Sequence, residues 1–308
     1  MSCIRKVYLV LKFTGRIFLA FCFQVKYNRI SRIKKVVSLL VRRHKQFKRF
    51  VKNDQIIDVL IPALDVDLMT LPFCINELRK NLLHPIGNIM IVSRNSEKKL
   101  IDFCHSHQCK FIDEKEVLPF SLNYINLKVN GVDRSGWILQ QLLKLSADRL
   151  TDKKYCPLMD ADTMLIRPQA FIINGKDVVS CSDEYHLPYF SAYQRVTGKK
   201  EIFPLSFTCH HTFLNIEKLK KIKVQIESNT KMKWYDGILN NIDRNEMSAF
   251  CEHETYGNFV VTNYPHETEI CYWFNKSLSR KHLGNIDKLI KQYSFLYKSI
   301  SMHSYYTD

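Results

Sequence analysis

The chain has 308 residues, 46% of them hydrophobic and 25% charged, with nine glycines and nine prolines. That balance excludes a disordered, collagenous or disulfide-scaffold protein and leaves ample length for a large α/β core. The net charge of +16 is concentrated at the N-terminus: 15 of the 46 lysines and arginines precede the first acid, Asp54, and the remaining 31 nearly balance the 30 acids.

Ile17 to Val25 is apolar apart from Gln24, but Arg16 and Lys26 bound it, which leaves it short of the roughly 20 residues of a spanning helix. No small-residue cleavage pattern follows, so no secretory signal peptide is expected. From Ile30, the apolar Ile33, Val37, Leu40, Phe47 and Val51 recur at helical steps among Arg32, Lys34, Lys35, Arg42, Arg43, Lys45, Lys48 and Arg49. This predicts a basic amphipathic helix that lies in a membrane interface with its cations on anionic headgroups. A helix packed on the body and a nucleic-acid arm are the alternatives. The expected division is a membrane-associating segment over 1–53 and one domain over 54–308. It places the protein in the cytoplasm, peripheral on the inner face of a membrane, with no nucleic-acid partner.

Ile56 to Pro62 reads as a first buried strand closed by proline, and a loop with Asp65 and Asp67 follows. Leu68 to Leu82 has helical periodicity, Ile86 to Ser93 reads as a second strand, Glu97 to His107 as a second helix and Phe111 to Asp113 as a third strand. Such alternation implies right-handed crossovers and a mostly parallel sheet covered by helices, with ligands beyond the carboxyl ends of its strands. A helix opening near Ser135, which is placed to cap it, carries the apolar stripe Ile138, Leu142 and Leu145. Gln140, Gln141 and Lys144 on that helix exceed what packing needs and suit phosphates or sugar hydroxyls.

The apolar run Cys156 to Met159 ends in Asp160-Ala161-Asp162. If the strand continues through Asp162, the two carboxylates share one face, where their repulsion calls for a cation, best a magnesium or manganese ion. Such an ion keeps positions open for phosphate oxygens, which points to a metal-bound diphosphate leaving group. An EF-hand loop is excluded, because Phe171 stands where the bidentate glutamate belongs. Further on, Val178 to Cys181 and Ser206 to Leu214 read as strands, Ile216 to Ile226 and Ile286 to Leu296 as helices, and Ser299 to Tyr306 as a β-like run. That last run would return His303 to the sheet as a third metal ligand, with His266 and His211 as fallbacks. The ten cysteines include no Cys-x-x-Cys pair, so reduced, buried thiols are expected, and Cys104-His105-Ser106-His107-Gln108-Cys109 lacks the second ligand pair of a zinc site.

Taken together, Asp58 to Ala63, Ser135-Gly136-Trp137 with Leu139 to Lys144, Asp160-Ala161-Asp162, and Glu252-His253-Glu254-Thr255-Tyr256-Gly257 resemble a family of largely uncharacterised bacterial glycosyltransferases of the GT-A fold. The resemblance spans roughly 56 to 306. It implies a GT-A-like, Rossmann-like sheet flanked by helices, a nucleotide-sugar donor, a divalent metal on the aspartates, and a surface glycan or lipid-linked acceptor of polysaccharide synthesis. On that reading Pro62, Ala63 and Asp65 border the nucleotide, with Trp137, Gln140, Gln141 and Lys144 beside the donor. Asp160 and Asp162 stand at ribose and metal, and Glu254, or else Glu252, deprotonates the acceptor if the anomeric centre inverts. His210-His211 also matches family positions. A nucleotidyltransferase would need a Gly- and Lys-rich triphosphate loop after Pro62, and a non-catalytic membrane or nucleic-acid adaptor would not need the aspartates at all.

Overall fold

A computed structural model describes residues 52–304, so the basic amphipathic helix expected before Asp54 lies outside the described residues. Among the described residues no helix is long and apolar enough to cross a membrane.

The first strand, β1 (Ile57–Pro62), is buried at every position, and a strand buried on both faces has to be covered on both sides. Leu60 packs into one core with Met90, Leu158 and Ile138. Its neighbours Val59 and Ile61 pack into a second core with Leu71, Ile75 and Leu78. The α/β alternation between them is the expected one. α1 (Leu71–Asn81) starts on Pro72 in its first turn, and β2 (Ile86–Ser93), α2 (Lys98–Ser106) and β3 (Lys110–Asp113) follow. Short helices α3 (Glu114–Val117) and α4 (Leu122–Ile125) and the hairpin β4 (Lys128–Val129) and β5 (Val132–Asp133) lead to α5 (Ser135–Lys144) and β6 (Tyr155–Met159).

After β7 (Thr163–Leu165), β8 (Ile172–Ile173) and β9 (Lys176–Cys181) come α6 (Leu187–Thr197), β10 (His211–Asn215), α7 (Ile216–Thr230) and α8 (Trp234–Leu239). The chain continues through α9 (Glu252–Asn263), β11 (Thr268–Tyr272), β12 (Asn275–Ser279), α10 (Ile286–Tyr293) and β13 (Ser299–His303). The central sheet runs β10-β6-β1-β2-β3. All its pairs are parallel except β10 with β6. This is the mostly parallel, helix-flanked α/β sheet that the sequence predicts. Two three-stranded sheets, β11-β9-β8 and β12-β13-β7, stand apart from it.

Two local expectations need correction. Ser135 does not cap α5, because its hydroxyl accepts from the Leu127 amide while the Asp133 carboxylate accepts from the Ser135 amide. The strand before the aspartates stops at Met159: Thr163 N donates to the Asp160 carbonyl at 3.1 Å and closes a turn over Asp160 to Thr163. The eight described cysteines are free thiols.

Candidate active site

The turn that ends β6 is pinned from below. The Ala161 carbonyl accepts from Thr70 Oγ1 at 3.0 Å and from Cys74 Sγ at 3.2 Å, both at the start of α1. Met302 N on β13 donates to the Asp162 carbonyl at 2.9 Å. Asp160 and Asp162 therefore do not share a strand face, yet both line one cavity of about 450 Å³ at the carboxyl end of the sheet. The turn aims them at different partners.

Asp160 Oδ1 lies 2.6 Å from Lys144 Nζ, and Lys144 Nζ lies 2.7 Å from Glu252 Oε1. The ammonium is thus held between two carboxylates, with its side chain only 3% exposed. Burial opposes the charge on Lys144, but Asp160 and Glu252 outweigh it and push the ammonium above its usual range. For Asp160 burial likewise favours the neutral acid, and Lys144, with the His210 and His253 rings, overrides it and holds the carboxyl well below the usual range. His210 Nδ1 stands 3.3 Å from Asp160 Oδ2 and its Nε2 is 3.5 Å from Glu184 Oε1. Against the penalty of burial, those two carboxylates raise the imidazole well above its normal value. At neutral pH the cavity therefore carries Lys144 and His210 as cations, set among Asp160, Glu184 and Glu252.

Asp162 takes the other direction: its Oδ2 is 3.0 Å from His303 Nδ1. β13 makes this possible by pairing antiparallel with β7, which begins directly after Asp162. His303 thus sits where the late β-like run would bring it. The fallback histidines are elsewhere. His211 is turned behind the sheet, with Nε2 2.9 Å from Ser180 Oγ and Nδ1 3.0 Å from the Cys209 carbonyl. Burial lowers its pKa to about 3. His266 is exposed in the turn before β11.

Trp137, Gln140, Gln141 and Lys144 recur at helical spacing and present one stripe of α5 to this cavity. Tyr189 of α6 stacks parallel to Trp137 at 6.5 Å, and Arg134 lies 4.8 Å over the same indole. A second cavity of about 290 Å³ adjoins the first and shares Asp67, Trp137 and Gln140 with it. Pro62 and Ala63 line it, where β1 ends. Asp65 lines neither cavity: its carboxylate accepts from the Leu100 amide at 2.9 Å, and its own amide donates to Glu97.

The two glutamates separate cleanly. Glu252 lines the cavity, paired with Lys144 and 3.1 Å from His253 Nε2. Glu254 does not reach it. Its Oε2 accepts from Ser206 Oγ at 2.6 Å and Phe207 N at 2.9 Å, and its Oε1 from Asn258 Nδ2 at 2.6 Å. With 0% exposure it buttresses the loop after α6 rather than facing an acceptor, which corrects its expected place. Sequence reasoning did not single out Glu184, Tyr185, Tyr189 or Thr208. Each lies on a loop or helix that reaches the cavity only through the packing of α6 and α9.

Among the described residues no three His, Cys, Asp or Glu side chains converge on a ready-made metal site. Magnesium and manganese do not require one, since they bind through one or two protein ligands with phosphate oxygens and water filling the rest of the shell. The adjacent Asp162 carboxylate and His303 imidazole fit that pattern in chemistry and position. Asp160, occupied by Lys144 and His210, does not offer a free carboxylate.

The family model described as "Family of unknown function (DUF6492)" matches residues 79–302. No curated protein matches the chain. Among solved structures, mouse xyloside xylosyltransferase 1 in its apo form aligns at TM-score 0.45 and 11% identity, over 82% of this chain and 98% of that one. The galactosyltransferase LgtC in complex with donor and acceptor sugar analogues aligns at TM-score 0.43 and 11% identity, over 80% and 87%. Mannosyl-3-phosphoglycerate synthase from Rubrobacter xylanophilus aligns at 0.29 and 20% identity, over 46% and 43%. Likenesses at these scores carry no weight for what the site does, which rests on its own geometry.

Proposed function

From the premise that this chain belongs to DUF6492, a family of unknown function, we propose that it is a glycosyltransferase that moves a sugar from a nucleotide-sugar donor to a glycan or lipid-linked acceptor. One observation carries the reading: an apolar cavity at the ends of β1 and β2 adjoins a charged one, with Trp137 and Gln140 common to both. A nucleoside in the first would extend its diphosphate and sugar into the second. Strand ends of α/β sheets are where such ligands sit.

In this reading Lys144, clamped between Asp160 and Glu252, fixes the Asp160 carboxylate to accept hydroxyls of the donor. The clamp needs little rearrangement during reaction because Lys144 and Glu252 are already buried and paired. His210, whose protonated form Asp160 and Glu184 stabilise, offers positive charge to the diphosphate. Asp162 and His303 would hold a divalent cation. When bound, that ion supplies neutralisation of the departing nucleoside diphosphate. Gln140 and Gln141 face the donor sugar, and the Trp137 and Tyr189 rings form an apolar wall suited to a sugar face. Glu252, rather than Glu254, is the glutamate we assign to the site.

Nucleotidyl transfer is less well supported, since Asp65–Met69 forms a 3-10 turn directly beyond β1 where a triphosphate loop would be required. The basic segment before Asp54 we assign to an anionic membrane surface on the cytoplasmic side, where a lipid-linked acceptor would be presented. The reading is tested by thermal-shift screening of the full chain against nucleoside diphosphates with and without manganese, followed by turnover of the corresponding nucleotide sugars. No stabilisation by any nucleotide would overturn it.

A further inference from the structure

The smaller cavity contains polar groups that the transfer itself leaves unused. Ser93, the last residue of β2, is 2% exposed, and its hydroxyl is buried without a hydrogen-bond partner. Arg94 follows it, and Glu114 opens α3 on the same cavity. Among the described residues no donor lies in hydrogen-bond range of the half-buried Glu114 carboxylate. Burial lifts its pKa, with the Arg94 charge acting against that rise. Arg94 is itself steadied by Glu97 at 2.7 Å. Pro62, Val92, Leu122, Leu139 and Leu143 give it apolar walls, and Asp67 and Gln140 line it where it meets the larger cavity.

A slot with apolar sides and a polar end suits a flat heterocycle held edge-on to the polar groups. The polar groups then select among bases. An ionised carboxylate only accepts hydrogen bonds, so it favours an edge carrying two adjacent donors. Guanine has one, its N1–H beside its N2 amino group. Adenine and cytosine place a ring acceptor beside their single amino group, and uracil places its lone N–H between two carbonyl oxygens. Both arrangements bring an acceptor against the carboxylate. The Ser93 hydroxyl and the Arg94 guanidinium are the donors left for a base carbonyl.

We propose that this cavity is a guanine site, with Glu114 accepting from N1–H and the N2 amino group, and that the donor is a guanosine-diphosphate sugar. This rests on the glycosyltransferase reading, and the test separates the two. Calorimetry on the full chain compares GDP, IDP, UDP, ADP and CDP at one manganese concentration. GDP is expected to bind tightest. IDP lacks only the N2 amino group and should bind about tenfold or more weaker, the effect of one charge-assisted hydrogen bond. In Glu114→Gln, GDP should weaken by about tenfold and the GDP-to-IDP preference should shrink towards one, since the amide keeps one oxygen for the N1–H that both probes carry and loses the acceptor for the N2 amino group that only GDP carries. Equal affinity for GDP and IDP in the unaltered protein, or a tighter UDP, ADP or CDP, would overturn the guanine assignment and leave the transferase reading standing. Absence of binding by every nucleoside diphosphate would overturn both. The GDP and IDP comparison needs no variant, so it decides the matter even if Glu114→Gln does not fold.

Discussion

Glu254 offers a test of which glutamate belongs to the site. Burial raises its pKa to about 7, against the pull of Ser206, Phe207 and Asn258, all of which donate to it. Between the unfolded value near 4.5 and about 7, the folded chain binds more protons at this group than the unfolded chain does. Its contribution to stability is therefore greatest below that window and is lost as pH rises through it, by ~3 kcal/mol in total. Glu254→Gln removes the titration while keeping the shape. The new carbonyl oxygen can accept from Ser206 and Phe207, and its amide nitrogen then faces Asn258. Asn258 Oδ1 is buried without a partner, so a half-turn of that amide supplies an acceptor. The exchange forfeits the Asn258 bond to the Glu254 carbonyl, 3.0 Å long, at about 1 kcal/mol. Urea unfolding of both proteins from pH 4.5 to 8 should show the variant slightly weaker at the acid end and stronger by ~2 kcal/mol above pH 7. Comparing the two proteins cancels every other titrating group. A stability difference flat across the window would refute the argument from burial. A folded Glu254→Gln protein that binds donor but has lost turnover would place Glu254 in the chemistry after all.

Lys144→Met takes the shared ammonium from Asp160 and Glu252, leaving each carboxylate only a histidine ring, and should cost about 3 kcal/mol in chemical unfolding, whereas Glu252→Gln keeps the fold but abolishes transfer; an active Glu252→Gln enzyme would remove that residue from the site. Asp162→Asn and His303→Ala should each weaken manganese binding in the presence of a nucleoside diphosphate by at least about tenfold, and Asp160→Asn should do so less; equal effects in all three would merge the roles assigned to the two aspartates. The charge on His210 should be fully present below the unfolded imidazole value and lost as pH rises through its raised folded value, so diphosphate affinity measured by calorimetry should fall on that alkaline limb and lose the limb in His210→Gln. Gly257→Ala would drive a Cβ into the Phe207 ring, so a loss of about 1–3 kcal/mol in denaturant unfolding is expected, and an unperturbed variant would mean that Phe207 yields freely. Liposome flotation of the full chain should increase with anionic lipid and decrease with salt, at about 1 kcal/mol per engaged base; removing the residues before Asp54 without effect would refute the membrane assignment.

The parallel core was legible because strands covered on both faces have no polar face to interrupt them, so Val59 to Pro62 and Ile89 to Val92 appear as unbroken apolar runs. The aspartate pair was legible as a doublet after such a run. Its geometry was not, since whether a strand continues or turns at Asp160 depends on Thr70, Cys74 and Met302, which reach the turn from distant parts of the chain. The two glutamates are only two residues apart on α9, and helical geometry says that they point differently without saying which one meets the cavity. Residues Glu252 to Val261 are buried without a break, so no exposed face gives the helix away. Ser93 and Glu114 could have been found from topology alone: both stand at carboxyl ends of neighbouring parallel strands, where the sheet register places Ser93 opposite Asp113.

β13 is the middle strand of the sheet β12-β13-β7, hydrogen-bonded to both of its neighbours. It follows every strand of the central sheet in chain order, and it carries His303. A nascent chain that has already folded its parallel core would hold Asp162 in the turn before an unpaired β7, and a bound cation could not draw on the imidazole. Any cation held by the proposed pair would assist folding only after translation has passed His303. A product that stops short of it would be marked by two open strand edges, the kind of surface that chaperones and proteases engage.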